Sequence, residues 1–290
     1  VSNNTIKNFA WTNTGSATFT GIQVVTGPAI LSNNTIGSTT GTGSIILTTG
    51  ATGAFLYGMN ISSTQNVSIL KNNIGSITST NAGTLAANIF CISRTSSGNS
   101  TICNNLIGSL TTANSINAAS GSTANNQSVV GISINSSGRQ LISDNSIANM
   151  TNQSSHITTG NAIVSGISYS GPTVGYNLVT RNFIRNLSTP SSTVSAMYGI
   201  FITAGATTYS NNIISIGVNT PVNLFGIFET GGASNNNNLY FNTVYLYGTP
   251  TSGVQNSYCL YSTNSASTKV FQNNNFYNAR SNSGASGKNY

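Results

Sequence analysis

The sequence predicts an all-β chain wound as a parallel β-helix, a solenoid in which every turn adds short strands to sheets that run along its axis. Two features support this prediction. A corner motif close to Asn-Asn-x-Ile recurs through the whole chain at intervals of 30 to 40 residues. A short apolar strand, usually opened by Gly-Ile, lies at a nearly constant distance before each later corner.

The second position of the corner motif is Asn in every copy. Asn tolerates the left-handed backbone region that a tight corner needs. Because stacked coils lie ~4.8 Å apart, equivalent Asn side chains can form a hydrogen-bonded ladder that satisfies their buried amides. About nine coils therefore present a structural ladder at Asn4, Asn34, Asn72, Asn105, Asn145, Asn182, Asn212, Asn242 and Asn274.

The segment 199–216 shows the plan of one unit. Residues 199–202 alternate in apolar character and read as a strand, a turn follows, and residues 213–216 form a further strand after the corner. Helical periodicity is absent, and β-branched and aromatic residues at alternating positions favour strands. The plan predicts three short strands per turn, and the Gly-Ile strand recurs at Gly21-Ile22, Gly58-Met59, Asn88-Ile89, Gly131-Ile132, Gly166-Ile167, Gly199-Ile200, Gly226-Ile227 and Cys259-Leu260.

The distance from a corner to the next Gly-Ile strand varies, because inserts rich in Ser, Thr and Gly lie between them. By their register they all lie on one edge of the predicted solenoid, where loops tolerate insertion. The unbroken repeat predicts a single domain over residues 1–290. The inserts cover residues 39–53, 79–87, 111–128, 151–162, 189–195 and 248–256.

Aromatic residues precede several of the Gly-Ile strands, at Tyr57, Tyr198, Phe225 and Tyr258. Strand alternation points them away from the inward Ile side chains. Two interpretations follow: the rings pack beneath the inserts, or they form a ladder that binds sugar rings.

Charge is sparse, at 4% of residues, and the net charge of +7 is spread thinly. Nucleic-acid binding needs clustered cations, and only Arg181 and Arg185 lie close together, so no nucleic-acid partner is predicted. No run of 18 apolar residues exists, so no membrane insertion is predicted. Neither a CxxC motif nor a Cys/His cluster suggests a metal, and no cofactor is predicted.

The residues offer little for catalysis. Polysaccharide hydrolysis needs two carboxylates facing one bond, and the chain has only Asp144 and Glu229, about three coils apart. Asp144 takes a corner position, where it replaces Asn. His156 lies in an insert, and no Gly-x-Ser-x-Gly motif marks a serine for it. We therefore expect that the protein is not an enzyme.

Two kinds of covalent modification remain open. Cys91 and Cys103 belong to one coil and are a candidate disulfide, but inward thiols acting as small apolar side chains fit equally well. Asn-x-Ser/Thr sequences are glycan acceptors in secreted eukaryotic proteins, although a chain rich in these residues contains many by chance. The candidate acceptors are Asn60, Asn99, Asn126 and Asn152.

The run of Asn-Asn-x-Ile corners resembles the right-handed parallel β-helix superfamily, the architecture of pectate lyases and of many bacterial surface proteins. The Asn-Asn-Thr-Ile motif, together with the Ser/Thr/Gly-rich inserts, looks most like long secreted or surface repeat proteins of Bacteroidetes. The resemblance covers nearly the whole chain. It implies a right-handed β-helix and an extracellular or cell-surface location, and it specifies no activity.

Neither end of the sequence shows a capping helix or a cluster of charges, so open coil faces are predicted at both ends. Head-to-tail stacking is a heterologous contact that does not close, and it therefore produces a filament. The leading hypothesis is a structural subunit that stacks on copies of itself as an extracellular homopolymer. Its axial interface is expected at Val1, Ile6, Phe271, Phe276, Tyr277 and Tyr290.

Two other functions stay open. The first alternative is the repeat stalk of a cell-surface adhesin that contacts glycans along its aromatic or insert face, and a flanking domain in a longer chain would favour it. The second is a polysaccharide-active enzyme on a β-helix. Filaments in a native sample would favour the polymer over both.

Overall fold

The computed structural model describes residues 1–50, 52–122, 125–154, 161–190, 195–282 and 284–290. In these ranges the chain forms 29 strands, numbered β1 to β29 in chain order, and no helix. The strands belong to three sheets, and every pairing between them is parallel. Each turn of the chain visits the three sheets in succession, so the fold is a parallel β-solenoid, as predicted.

Sheet 1 follows the Asn corner and has 13 strands. They are β1 (Thr5–Ile6), β2 (Phe9–Asn13), β5 (Thr35–Gly37), β6 (Ile45–Thr49), β9 (Asn73–Gly75), β10 (Ile77–Asn81), β13 (Leu106–Gly108), β14 (Ile116–Ser120), β17 (Ser146–Ser154), β20 (Phe183–Ser188), β23 (Ile213–Gly217), β26 (Thr243–Tyr247) and β29 (Asn275–Asn278).

Sheet 2 contains the Gly-Ile strands and has eight members. They are β3 (Ala17–Val24), β7 (Ala54–Ile61), β11 (Ala87–Ser96), β15 (Gln127–Ser136), β18 (Ala162–Ser170), β21 (Ser195–Ala204), β24 (Asn223–Glu229) and β27 (Ser257–Ser262).

Sheet 3 leads into each later corner and also has eight members. They are β4 (Ala29–Ser32), β8 (Val67–Leu70), β12 (Ser100–Cys103), β16 (Gln140–Ser143), β19 (Asn177–Thr180), β22 (Thr207–Ser210), β25 (Asn238–Tyr240) and β28 (Val270–Gln272). The nine corner asparagines thus bound about eight full turns.

Several predicted inserts are partly ordered strand rather than loop. β6, β10 and β14 pair with one another in register, and β2 extends the same run at its first coil. Sheet 1 therefore contains this row and the row of β1, β5, β9 and β13. The long strand β17 joins the two rows, because its first half pairs with β13 and its second half with β14. Alternating side chains on these segments face the core, as Ile45, Ile77 and Ile116 do with no exposed surface.

The core is a stack of inward columns that runs the length of the solenoid. One column in sheet 3 contains Leu31, Ile69, Ile102, Ile142, Val179, Tyr209 and Leu239, paired in register from coil to coil. Burial of such apolar side chains stabilises the fold by roughly 1.5–3 kcal/mol for each large residue.

The glycine that opens the Gly-Ile strand packs against the Ile that follows the corner. A Cβ added at Gly199 would lie 2.5 Å from Ile214 Cγ2 and 2.5 Å from the Gly226 carbonyl oxygen. The register also corrects the predicted series: Ile92 pairs with Met59 and Ile132, so Cys91-Ile92, rather than Asn88-Ile89, fills the Gly-Ile position of the third coil.

Candidate functional site

The predicted Asn ladder is present at all nine corners. Nδ2 of each of the first eight Asn residues donates to Oδ1 of the Asn one coil further along the chain, at 2.9–3.0 Å. The backbone N–H of each of these eight Asn residues donates to the same oxygen, for example Asn105 N to Asn145 Oδ1 at 3.0 Å. The second Nδ2 hydrogen of Asn105 goes to the Ile69 carbonyl oxygen. Asn34, Asn72, Asn105, Asn145, Asn182, Asn212 and Asn242 are buried.

The left-handed backbone lies one residue before the ladder. Its φ is between 53° and 59° at all nine corners. Four of these residues are not Asn: Lys71, Asp144, Arg181 and Phe241. The two properties that we assigned to one Asn are thus divided, because the first corner residue makes the turn and the second is chosen for its buried amide.

The ladder has a direction. In every Asn–Asn side-chain hydrogen bond the donor lies one coil nearer the N-terminal end than the acceptor, so the terminal rungs differ in chemistry. Among the described residues, no donor reaches Asn4 Oδ1, and the Asn274 backbone N–H has no acceptor. One end therefore presents a free acceptor and the other presents free donors, at the same place in the coil cross-section.

Inward columns reach both end faces with large apolar side chains. At the first coil, Phe9 and Trp11 pair with the inward residues Ile45 and Leu47, yet they are 37% and 39% exposed. Val1 lies beside Leu31, because Ser2 bridges to Ser32, and it is 63% exposed. Ile6 pairs with Ile36 and is half-buried.

The predicted interface residues of the last coil divide into two groups. Phe271 and Phe276 continue the inward columns of Leu239 and Val244, and they are 39% and 37% exposed on the end face. Tyr277 and Tyr290 instead lie on outer faces, where they stack on Tyr245 and Tyr258. Sequence reasoning missed Phe9 and Trp11, whose inward direction follows only from their pairing with the next coil.

The outer face of sheet 2 carries two columns of stacked rings over its last coils. The first contains Tyr198, Phe225, Tyr258 and Tyr290, with successive ring centroids 5.2, 5.5 and 4.8 Å apart. The second contains Phe201, Phe228 and Tyr261, at 5.4 and 5.2 Å.

These spacings show how the rings are used. They are too short for rings lying side by side in one plane, so each ring covers part of the face of the next. Tyr57 likewise stacks on Phe90 at 5.5 Å. The outward aromatics therefore pack chiefly on one another, which leaves less ring face for a sugar.

Each carboxylate has its own cation. Asp144 accepts from Arg181 Nε and Nη2 at 2.7 and 2.8 Å on the outside of the corner, and this hydrogen bonding lowers the pKa of Asp144. Glu229 is buried in the core, where it accepts from Asn237 and Ser262 and lies 3.3 Å from Lys269 Nζ. The two carboxylates thus lie on different parts of the coil. His156 lies outside the described residues.

Within the described ranges, no group of three or more His, Cys, Asp or Glu side chains is placed to hold a metal ion. Over the same ranges, no helix has the length and apolar character needed to span a membrane.

All three cysteines are free thiols. Cys91 is wholly buried, and this burial raises the pKa of its thiol. Cys103 is half-buried at the corner, where its sulfur accepts from Asn104 Nδ2 at 3.1 Å and from Ser143 Oγ at 3.3 Å. The structure thus leaves the candidate disulfide unmade and gives each thiol separate surroundings.

The candidate glycan acceptors differ in access. Asn99 and Asn126 are exposed and Asn60 is half-buried. Asn152 is fully buried, with Nδ2 donating to the carbonyl oxygens of Gln127 and Ile163. Its amide is therefore not available to a glycan in the folded chain.

Comparison with protein-family models, with curated proteins and with solved structures gives no match for this chain. The β-solenoid architecture therefore rests on its own geometry.

Proposed function

We propose that this β-solenoid is a structural subunit whose coil stack is continued head-to-tail by a second copy, which forms an extracellular filament. One observation carries the proposal: the two end faces complement each other along the corner ladder. The free donors of Asn274 fit the free Oδ1 of Asn4 in a following copy. Such a joint would repeat the rung seen between Asn242 and Asn274.

Apolar contact would add to this joint. Phe276 lies next to Val244 in one inward column of sheet 1, and Ile6 begins the same column at the first coil. In a stacked pair, Ile6 of the next copy would lie on Phe276 and continue this column. Covering exposed apolar surface contributes about 25 cal/mol per Å² removed from water. Any coil of the same cross-section would fit each face, and we propose that a second copy of this chain supplies it.

Geometry then makes the assembly open. The two faces are different, so the contact is heterologous, and a translation along the axis repeats without closing. Parallel pairing in all three sheets requires the copies to point the same way. The filament is therefore polar.

Sedimentation velocity at increasing concentration tests the proposal with a matched pair of variants. Trp11→Glu places a carboxylate on the inward side of β2, whereas Thr12→Glu places the same charge on the outer side of the same strand. We expect the native chain and Thr12→Glu to associate and Trp11→Glu to stay monomeric. A monomeric native chain at all concentrations, or equal behaviour of the two variants, would reject the proposal.

A further inference from the structure

A buried polar cluster links two neighbouring coils near the C-terminal end of the solenoid, where the chain passes from sheet 2 to sheet 3. Glu229 ends β24, Asn237 precedes β25 in the same coil, and Lys269 precedes β28 in the next coil. Glu229 and Asn237 are buried, and the Lys269 side chain is 16% exposed. In a chain with only two carboxylates, this placement needs a reason, because the attraction within a buried ion pair seldom repays the hydration that both charges lose.

Asn237 and Lys269 occupy equivalent positions of adjacent coils. The residues that follow them, Asn238 and Val270, pair in register, and the Val270 backbone N–H donates to the Asn237 carbonyl oxygen. The two backbones are therefore one strand spacing apart, ~4.8 Å. Lys stands beside Asn at this position here alone, since the earlier coils have Val67, Ser100, Gln140, Asn177 and Thr207 there.

Glu229 holds both side chains, one on each carboxylate oxygen. Oε1 accepts from Asn237 Nδ2 at 2.8 Å, and Oε2 lies 3.3 Å from Lys269 Nζ. Ser262 Oγ lies between the charges, because it donates to Oε2 at 2.6 Å and accepts from Nζ at 2.6 Å. Asn237 Oδ1 accepts the Thr207 backbone N–H at 3.1 Å. The cluster thus unites an amine, a carboxamide, an acid–base group and a donor to the carbonyl oxygen, which are the parts that an acyl transfer needs.

We propose that the side chains of Lys269 and Asn237 join in an amide bond, with Glu229 as the acid–base group. The Asn264 carbonyl oxygen and Ser262 hold Nζ in the cluster. A proton passes from Nζ to Glu229, since burial disfavours both charges. The neutral amine then attacks Cγ of Asn237, and the Thr207 N–H stabilises the negative charge that develops on Oδ1.

The carboxyl group of Glu229 completes the exchange. It gives its proton to Nδ2 of Asn237, the Cγ–Nδ2 bond breaks, and ammonia departs. The second proton that Nζ loses passes through Glu229 to the ammonia, which leaves as ammonium. The new Nζ–Cγ bond replaces the Cγ–Nδ2 bond, Glu229 is again a carboxylate, and the reaction needs no oxidant or other co-reactant.

The bond would fasten the last coil of the solenoid to the coil before it. It closes a covalent loop over residues 237–269, and β28, which follows directly, carries the end-face residue Phe271. The linked residues belong to one chain, so the bond does not depend on end-face stacking. Its absence would leave the filament proposal untouched.

Intact-mass spectrometry of the native chain, reduced and made in a host that adds no glycans, tests the proposal without any variant. We expect a mass below that of the sequence by one ammonia, and a digest in which the peptides that contain Asn237 and Lys269 are joined. The full sequence mass after prolonged incubation of the folded chain overturns the proposal, and so does an ammonia lost within an unlinked peptide. Loss of one water, the sign of a direct amide between Lys269 and Glu229, overturns it as well.

Variants then assign the roles. Lys269→Arg keeps the positive charge but removes the amine nucleophile, and Glu229→Gln keeps the shape but removes the acid–base group, so both should have their full sequence mass. Lys288→Arg is the matched control at an exposed lysine and should still lose one ammonia. A linked product in Glu229→Gln, or none in Lys288→Arg, would reject the assignment. Circular dichroism shows whether each variant folds, and the mass of the native chain decides the proposal if a buried substitution prevents folding.

Discussion

The corner ladder makes a sharp prediction at Asn145, in the middle of the stack. Asn145→Ala removes four side-chain hydrogen bonds: Oδ1 accepts from Asn105 N and Nδ2, and Nδ2 donates to Asn182 Oδ1 and the Ile102 carbonyl oxygen. Two buried donors of Asn105 then have no acceptor. At about 1–3 kcal/mol for each unsatisfied buried donor, the substitution should lower the free energy of unfolding by about 2–6 kcal/mol.

Asn4→Ala is the matched control, because it makes the same substitution in the same column at an exposed rung. Asn4 only donates, to Ser2 and Asn34, and no donor is left buried when it is removed. We expect a loss below about 1 kcal/mol. Urea titrations followed by circular dichroism, at concentrations where the chain is monomeric, measure the free energy of unfolding of both variants. A loss at Asn145 no larger than that at Asn4 would refute the ladder as a source of stability.

Three further predictions concern the packing around the ladder. Gly199→Ala should destabilise the chain by about 1–3 kcal/mol through overpacking, whereas Gly232→Ala, whose added Cβ would lie at an ordinary contact distance of 3.7 Å from Asn235 Nδ2, should be close to neutral in the same titration. Phe225→Leu should cost about 1–3 kcal/mol through lost ring stacking and should reduce the near-UV dichroism; an unchanged spectrum would contradict the stacked columns. In the native chain, a thiol reagent should modify Cys103 alone, and all three thiols after unfolding; one reactive thiol after unfolding would instead support the Cys91–Cys103 disulfide.

The ladder could be predicted from sequence because its chemistry admits one residue type. Only a short amide both donates to and accepts from its own copy one coil away, so Asn recurs at every rung. The residue that makes the turn carries no such requirement. Lys71, Arg181 and Phe241 adopt φ near 55° because the surrounding coil imposes it, and their side chains give no signal.

Other features could not be predicted from sequence, because they are determined by pairing partners that are distant in the chain. Ile45–Thr49 and Ile116–Ser120 lie in segments that look like loops, yet each becomes a strand because the equivalent segments of adjacent coils supply its hydrogen bonds. The inward direction of Trp11 appears only from its register with Leu47. In the third coil, Cys91 lies at the position where Gly was expected. The sequence prediction therefore placed this strand position three residues too early, at Asn88-Ile89.

The central claim is that the end faces of the coil stack join. Electron microscopy of the purified chain at increasing concentration tests it most directly. The proposal predicts uniform, polar filaments with an axial repeat of about nine coil spacings, roughly 43 Å, which Trp11→Glu abolishes. Short rods of one subunit at every concentration would contradict it.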